Sequence, residues 1–132
     1  MPARPVTVLY HADCPDGFGA AYAAWLRFGA GARYRAMHHG QPWKMAEIAG
    51  HEVFILDFSF APDVLEAIAG LAGPVVQIDH HASARQPWAD WLGKSPDGAE
   101  IFRHPALPLT VIFDLGKSGV RLAWEHFHPD RP

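Results

Sequence analysis

The chain has 132 residues and a formal net charge of −3, with 11 Lys and Arg against 14 Asp and Glu, and 49% of its residues are hydrophobic. This length corresponds to one domain, and the apolar content argues against disorder. The acidic balance excludes a binder of duplex DNA, which needs a basic surface. Cys14 is the single cysteine, so an internal disulfide is excluded. The apolar runs are far shorter than the roughly 18 residues of a membrane span, and no signal-peptide pattern is visible, so we expect a cytoplasmic protein.

Short apolar runs alternate with helical segments along the chain. In chain order, the pattern predicts a strand at 6–10, a helix at 18–28, a strand at 33–38, a short helix at 42–49, a strand at 51–57, a helix at 62–71, a strand at 75–79, a short helix at 84–92, a short strand at 99–102 within a loop region, a strand at 109–113 and a helix at 118–127. Phe18, Tyr22 and Trp25 share one face of the first helix. The alternation favours a single α/β domain over residues 1–132, with three layers and a mainly parallel sheet covered by helices on both faces.

Three predicted strands end in polar clusters. The side chains involved are His11, Asp13 and Asp16 after the first strand, Asp57 after another, and Asp79, His80 and His81 after a third. Binding sites of parallel sheets lie beyond the carboxyl ends of the strands, so we expect all three clusters at one rim. Acidic groups crowded there would repel one another unless cations lay among them. The sequence therefore predicts a divalent metal site, and its oxygen and imidazole ligands suit Mn, Mg, Fe or Zn.

Each cluster also has a structural interpretation. Asp16 could cap the helix that follows it, and Asp57 alone could be a turn residue. Cys14 could be an inert small residue or a ligand. The run Asp79-His80-His81 is harder to explain by packing: one imidazole could bind a metal, the other could face a substrate, and the aspartate could orient a ring. His38 and its neighbour His39 are interpreted as histidines of a surface loop.

Two glycine-containing segments imitate phosphate-binding motifs and are rejected. Tyr22 stands at the third glycine position of a dinucleotide fingerprint, and Val111 stands where a P-loop needs its first glycine. Ser118 instead caps the last helix, whose amino terminus could receive a phosphate oxygen. Lys117 and Arg121 are nearby cations for that oxygen, unless both are simply solvated.

Three segments in this order resemble the DHH phosphoesterase superfamily, which includes RecJ-type exonucleases, oligoribonucleases, cyclic-dinucleotide phosphodiesterases and family II inorganic pyrophosphatases. The segments are HADCPDGFGAA from His11, ILDFS around Asp57 and VVQIDHHAS around Asp79, followed by a similar tail, FDLGKSG. The resemblance implies a DHH-type fold and a metal-dependent phosphoesterase that usually holds two Mn²⁺ (or Mg²⁺) ions.

The resemblance also implies roles for individual residues. His81 would be catalytic beside the substrate phosphate and Asp79 would support it, while Lys117, Ser118 and Arg121 are candidates for substrate binding. Many relatives have aspartate where Cys14 stands, so one of the two metals is expected to bind weakly or differently here. The implied metal ligands are His11, Asp16, the bridging Asp57 and His80, with Asp13 and Asp114 as further candidates.

The negative charge favours a small phosphorylated substrate or a short oligonucleotide. A phosphate- or nucleotide-binding module without activity, and a structural subunit with one rim metal, stay open as alternatives. Most members of the superfamily carry a second domain that closes over the site. This chain is therefore expected to be a truncated form, a natural minimal form, or a homodimer that completes its cleft by self-association.

Overall fold

The computed structural model describes residues 4–96 and 98–131, and in these ranges seven strands form one mixed sheet. None of the helices there combines the length and the hydropathy that crossing a bilayer requires. The strands are β1 (Val6–His11), β2 (Arg33–Met37), β3 (Glu52–Leu56), β4 (Val75–Asp79), β5 (Gly93–Lys94), β6 (Glu100–Arg103) and β7 (Leu109–Phe113). The α-helices are α1 (Pro15–Phe28), α2 (Pro62–Leu71), α3 (Ala82–Arg85) and α4 (Gly119–Phe127), and 3₁₀ turns lie at Gly29–Gly31, Met45–Ile48 and Gln86–Trp88.

The strand order is β2-β1-β3-β4-β7-β6-β5, and the first five strands run parallel. Tyr10 pairs with Leu56, which pairs with Ile78 of β4. The carboxyl ends of β1, β3 and β4 therefore lie side by side. β2 lies beside β1 on one side, and β3, the next strand in the chain, lies beside β1 on the other side. The strand order therefore reverses between β1 and β3. Such a point is the usual place for a ligand site in an open α/β sheet.

Apolar side chains of the strands alternate between two cores, one on each face of the sheet. Val8 contributes to the core beneath α1 and α4, and its neighbour Leu9 contributes to the opposite core beneath α2. The same alternation in β3 sends Phe54 to the first core and Ile55 to the second. Helices thus cover both faces, which confirms the prediction of a three-layer α/β fold with a mainly parallel sheet.

The aromatic face of α1 is largely exposed, and small residues form the buried face. Phe18 is 68% exposed, and Tyr22 and Trp25 are also exposed. The buried positions are Gly17, Ala20, Ala21, Ala23 and Ala24. Close packing explains this choice, because a Cβ added at Gly19 would lie 2.4 Å from a methyl carbon of Val120 in α4. Large side chains on this face would push the two helices apart.

Several element boundaries differ from the prediction. Helix α1 begins at Pro15, three residues earlier than predicted, because proline fits the first turn of a helix. The helix predicted at 42–49 is only the 3₁₀ turn Met45–Ile48, and the one predicted at 84–92 is α3 followed by another 3₁₀ turn. The remaining strands and helices agree with the prediction to within two residues, apart from the extra two-residue strand β5.

Candidate metal centre

Asp57 lies at the centre of a polar cluster built by the loops after β1, β3 and β4. It is 1% exposed, and its Oδ1 accepts a hydrogen bond from His80 Nε2 at 2.7 Å. Its Oδ2 lies 3.6 Å from His11 Nδ1 and 3.6 Å from Cys14 Sγ. The two carboxylate oxygens of Asp57 therefore face two different sets of side chains.

The backbone around Asp57 is specialised for this position. Its φ is +56°, in the left-handed region that aspartate tolerates better than most residues. Gly119 of α4 lies directly against it, since a Cβ added there would be 2.5 Å from Asp57 Oδ1. Burial raises the pKa of the Asp57 carboxyl, and the hydrogen bond from His80 works in the opposite direction. A buried carboxylate is costly unless it is paired, so this arrangement favours a cation beside it.

Asp16 caps α4 rather than its own helix. Its two oxygens accept hydrogen bonds from the backbone N–H groups of Gly119, at 3.1 Å, and Val120, at 3.2 Å. Helix α1 begins one residue earlier with Cys14 as its N-cap, and no side chain caps it. The carboxylate thus occupies the amino terminus of α4, which the sequence had suggested for a phosphate oxygen. Asp16 Oδ2 also lies 3.2 Å from His80 Nε2, which brings Asp16 to the cluster around Asp57.

Asp79 and His81 form a hydrogen-bonded pair at the end of β4. Asp79 is 1% exposed, and its Oδ1 accepts hydrogen bonds from His81 Nδ1 at 2.7 Å and from the backbone N–H of His80 at 2.8 Å. Ser59 Oγ donates to its Oδ2 at 2.7 Å. The carboxylate therefore holds the imidazole of His81 in place through Nδ1 and leaves Nε2 for another contact. His81 lines a cleft of about 300 Å³.

Two further residues of this cleft were missed from the sequence. His39 stacks on Phe58, with ring centroids 4.2 Å apart, and its ring lies 5.8 Å from that of His11. The sequence could have indicated His39, because this residue follows β2, and the carboxyl end of β2 lies at the same edge of the sheet as those of β1 and β3. Ser59 lies two residues after Asp57 in the sequence. Its part in the cleft is seen only from its hydrogen bond to the buried Asp79.

The structure does not bring the two additional ligand candidates into the cluster. The side chain of Asp13 is 86% exposed and its Oδ2 lies 3.5 Å from His38 Nε2. Asp114 serves the turn before α4, where its Oδ1 accepts a hydrogen bond from the Gly116 backbone N–H at 3.0 Å.

The candidate substrate cations near α4 contact a glutamate of that helix. Lys117 Nζ lies 2.7 Å from one oxygen of Glu125, and Arg121 Nε lies 3.3 Å from the other. These contacts lower the pKa of Glu125, chiefly through the hydrogen bond from Lys117. Ser118 caps α4, since its Oγ accepts a hydrogen bond from the Arg121 backbone N–H. The prediction that Ser118 caps the last helix is therefore confirmed. In the ranges that the structure describes, Lys117, Ser118 and Arg121 do not contact the cleft.

The donor atoms of the cluster fit a divalent cation. Asp57 belongs to two groups of side chains whose ligand atoms lie within 4.8 Å of one another: the first group is His11, Cys14 and Asp57, and the second is Asp57, Asp79, His80 and His81. Nδ1 of His11 is buried and has no hydrogen-bond partner in residues 4–96 and 98–131. Two carboxylates, those of Asp16 and Asp57, also approach the same ring nitrogen of His80. A cation would satisfy the unpaired nitrogen and balance the two carboxylates.

No family model and no solved structure matches the chain. A curated protein of Acanthamoeba polyphaga mimivirus, described as uncharacterized, is 30% identical over 139 aligned residues. The alignment covers 95% of this chain and 30% of the viral protein. The chain thus spans about 30% of the length of the curated relative it matches.

Proposed function

We propose that this protein is a divalent-metal-dependent phosphoesterase of the DHH type, which hydrolyses a small phosphorylated substrate or a short oligonucleotide with two Mn²⁺ (or Mg²⁺) ions. The position of Asp57 between two groups of donor atoms carries the proposal. Its Oδ1 faces His80 and its Oδ2 faces His11, so one carboxylate is oriented to bridge two ions. A bridged pair of cations is a common arrangement in enzymes that cleave phosphate esters.

The roles of the protein side chains follow from their contacts. Bound divalent ions would lower the pKa of a water molecule and stabilise the charge on the phosphate and the leaving oxygen. Asp57, His80 and Asp16 would hold one ion, and His11 with Asp57 would hold the other. His81 presents Nε2 to a phosphate oxygen or to the leaving oxygen, because Asp79 engages its Nδ1.

The size of the cleft supports a small or single-stranded substrate. The cleft beside His81 adjoins a second one of about 380 Å³, and the two share His39, Ser59, Phe60 and Ala61. The second cleft is lined by the ring of Trp43, 5.7 Å from that of Phe60, and aromatic surfaces of this kind suit a flat substituent such as a base. A cytoplasmic location is part of the proposal, since a reducing compartment keeps the thiol of Cys14 free.

The test is hydrolysis of bis(p-nitrophenyl) phosphate, a dinucleotide and pyrophosphate by the purified protein with Mn²⁺. The variant Asp57→Asn is expected to abolish turnover, because an amide cannot bridge two cations as a carboxylate does. Asparagine also tolerates the positive φ at this position, so the variant should fold. Asp63→Asn is the matched control, since it makes the same chemical change in the exposed first turn of α2.

The melting temperature, measured with and without Mn²⁺, provides a second readout that does not need a substrate. Mn²⁺ should raise the melting temperature of the native protein and of Asp63→Asn, and should do so much less for Asp57→Asn. Mn²⁺ binding without turnover on any substrate would favour a phosphate-binding module. An unchanged melting temperature at millimolar Mn²⁺ would refute the metal site itself.

A further inference from the structure

The group formed by His11, Cys14 and Asp57 differs in chemistry from its neighbour, because it contains the only sulfur ligand in the cluster. Cys14 Sγ and His11 Nδ1 each lie 3.6 Å from Asp57 Oδ2. In a tetrahedral site with metal–nitrogen and metal–sulfur bonds of about 2.0 and 2.3 Å, neighbouring ligand atoms lie roughly 3.3–3.5 Å apart. The observed separations are thus close to those of ligands that share one ion. The nitrogen and the oxygen are too far apart for a hydrogen bond, whereas the Cys14 thiol donates a hydrogen bond to Asp57 Oδ2, which binding of an ion by the thiolate would replace.

The backbone fixes these donors in place. Cys14 is the N-cap of α1 and is followed by Pro15, so its position is set by the start of a 14-residue helix. The loop that joins it to β1 is tightly folded, since a Cβ added at Gly17 would lie 2.1 Å from the carbonyl oxygen of His11. His11 Nδ1 is the buried nitrogen that lacks a partner in the described part of the chain. The arrangement needs little movement to receive an ion.

The second group offers harder ligands. At His80 the donors are the carboxylates of Asp57 and Asp16 and one imidazole, while Asp79 and His81 of the same group are hydrogen-bonded to each other. Carboxylate oxygens suit Mn²⁺ and Mg²⁺ and imidazole also suits Fe²⁺ and Zn²⁺, whereas a thiolate shifts a site towards Zn²⁺ and the later first-row ions. The shared Asp57 contributes one oxygen to each side.

We propose that the thiolate of Cys14 is a metal ligand, so that the two ion positions differ in selectivity. The position held by His11, Cys14 and Asp57 favours Zn²⁺ or Co²⁺ over Mn²⁺ more strongly than the position at His80 does, because only the first contains a thiolate. This inference rests on the proposed metal centre, which would then hold two different metal ions.

The single cysteine makes a clean spectroscopic test. Co²⁺ added to the full chain should produce a sulfur-to-cobalt charge-transfer band in the near ultraviolet, and Cys14→Ser should remove it. Serine is a good N-cap residue, so this variant should fold. Loss of the sulfur ligand should also weaken Zn²⁺ binding by about tenfold or more. Cys14→Asp, which supplies an oxygen instead, should shift the preference of this position towards Mn²⁺.

Alkylation by iodoacetamide gives an independent readout, since only Cys14 can react. Zn²⁺ should slow the reaction by about tenfold or more, because a metal-bound thiolate is less nucleophilic and less accessible. If Co²⁺ or Mn²⁺ raises the melting temperature but no charge-transfer band appears and the alkylation rate is unchanged by Zn²⁺, the inference about Cys14 is wrong while the metal centre stands. If none of these ions changes the melting temperature, the proposed function fails as well.

Discussion

The close approach of Gly119 to Asp57 allows the proposed metal centre to be perturbed without replacing any of its proposed ligands. In Gly119→Ala, the new Cβ would lie 2.5 Å from Asp57 Oδ1, 2.8 Å from its Cγ and 3.0 Å from its Cβ. Either Asp57 or the start of α4 must move by several tenths of an ångström. Asp57 is buried with a left-handed backbone, and α4 is held by the hydrogen bonds from its first two residues to Asp16. Neither side can move freely.

Two opposing effects determine how much Gly119→Ala changes the free energy of unfolding. Overpacking of this kind costs about 1–3 kcal/mol. Alanine in place of glycine in a helix returns about 0.5–1 kcal/mol, because it loses less conformational entropy on folding. We therefore expect a net loss of up to about 2.5 kcal/mol, which corresponds to a melting temperature lower by up to roughly 10 °C for a domain of this size. Displacement of Asp57 should also weaken Mn²⁺ binding by about tenfold or more, as changes around metal ligands generally do.

Urea denaturation and Mn²⁺ titration measure the two effects, with Gly70→Ala as the control. Gly70 lies in α2, and a Cβ there meets nothing within 4 Å in the described part of the chain. That variant should be as stable as the native protein or more stable, with unchanged Mn²⁺ affinity. If Gly119→Ala behaves like Gly70→Ala in both measurements, Asp57 is not confined by α4 and the reasoning is refuted.

Three further predictions concern neighbouring contacts and the ion. Arg85 donates hydrogen bonds of 2.7 and 2.6 Å to Glu100, and these bonds lower the pKa of the Glu100 carboxyl from its usual value of 4.5. The pair therefore stabilises the fold fully above pH 4.5. This stabilisation is lost as the pH falls through the lowered pKa of Glu100. Glu100→Gln should therefore reduce the urea midpoint more at pH 7 than at pH 3, and equal reductions would contradict this. Ser59→Ala removes a hydrogen-bond donor from the buried Asp79, which should lower the free energy of unfolding in urea by about 1–3 kcal/mol. The variant should also turn over substrate more slowly while it still binds Mn²⁺, and full activity would show that Ser59 does not help to position Asp79. Mn²⁺ at about 100 times its dissociation constant, which titration measures, should stabilise the fold against urea by about 2.7 kcal/mol because it binds the native state; an unchanged urea midpoint would contradict this.

The parallel sheet and the rim of polar clusters could be predicted because both depend on local patterns. A buried parallel strand such as β4 is a short apolar run, and the polar residues that follow it must lie at the carboxyl edge. That rule places Asp57 and His80 near each other without any knowledge of their contacts. Applied to β2 as well, it would have drawn attention to His39.

Other features could not be predicted because they depend on contacts between distant parts of the chain. The partner of Asp16 is the amino terminus of α4, more than 100 residues away along the chain, and no local pattern distinguishes such a cap from one for its own helix. The exposed face of α1 has the same helical spacing as a buried one. The periodicity of Phe18 and Tyr22 therefore could not reveal that small residues form the contact with α4.

The position of Asp16 explains how two carboxylates can approach one imidazole, that of His80. The backbone N–H groups at the start of α4 and the helix dipole stabilise the charge of Asp16. Asp57 lies against Gly119 at the same helix terminus, but the N–H groups of Gly119 and Val120 bond to Asp16, and burial raises the pKa of the Asp57 carboxyl. The charge that the fold leaves least compensated is therefore on Asp57, the residue whose two oxygens face both groups of donor atoms. A divalent ion bound there would gain most from the interaction, and this is the physical reason to place the metal chemistry at Asp57 rather than at Asp13 or Asp114.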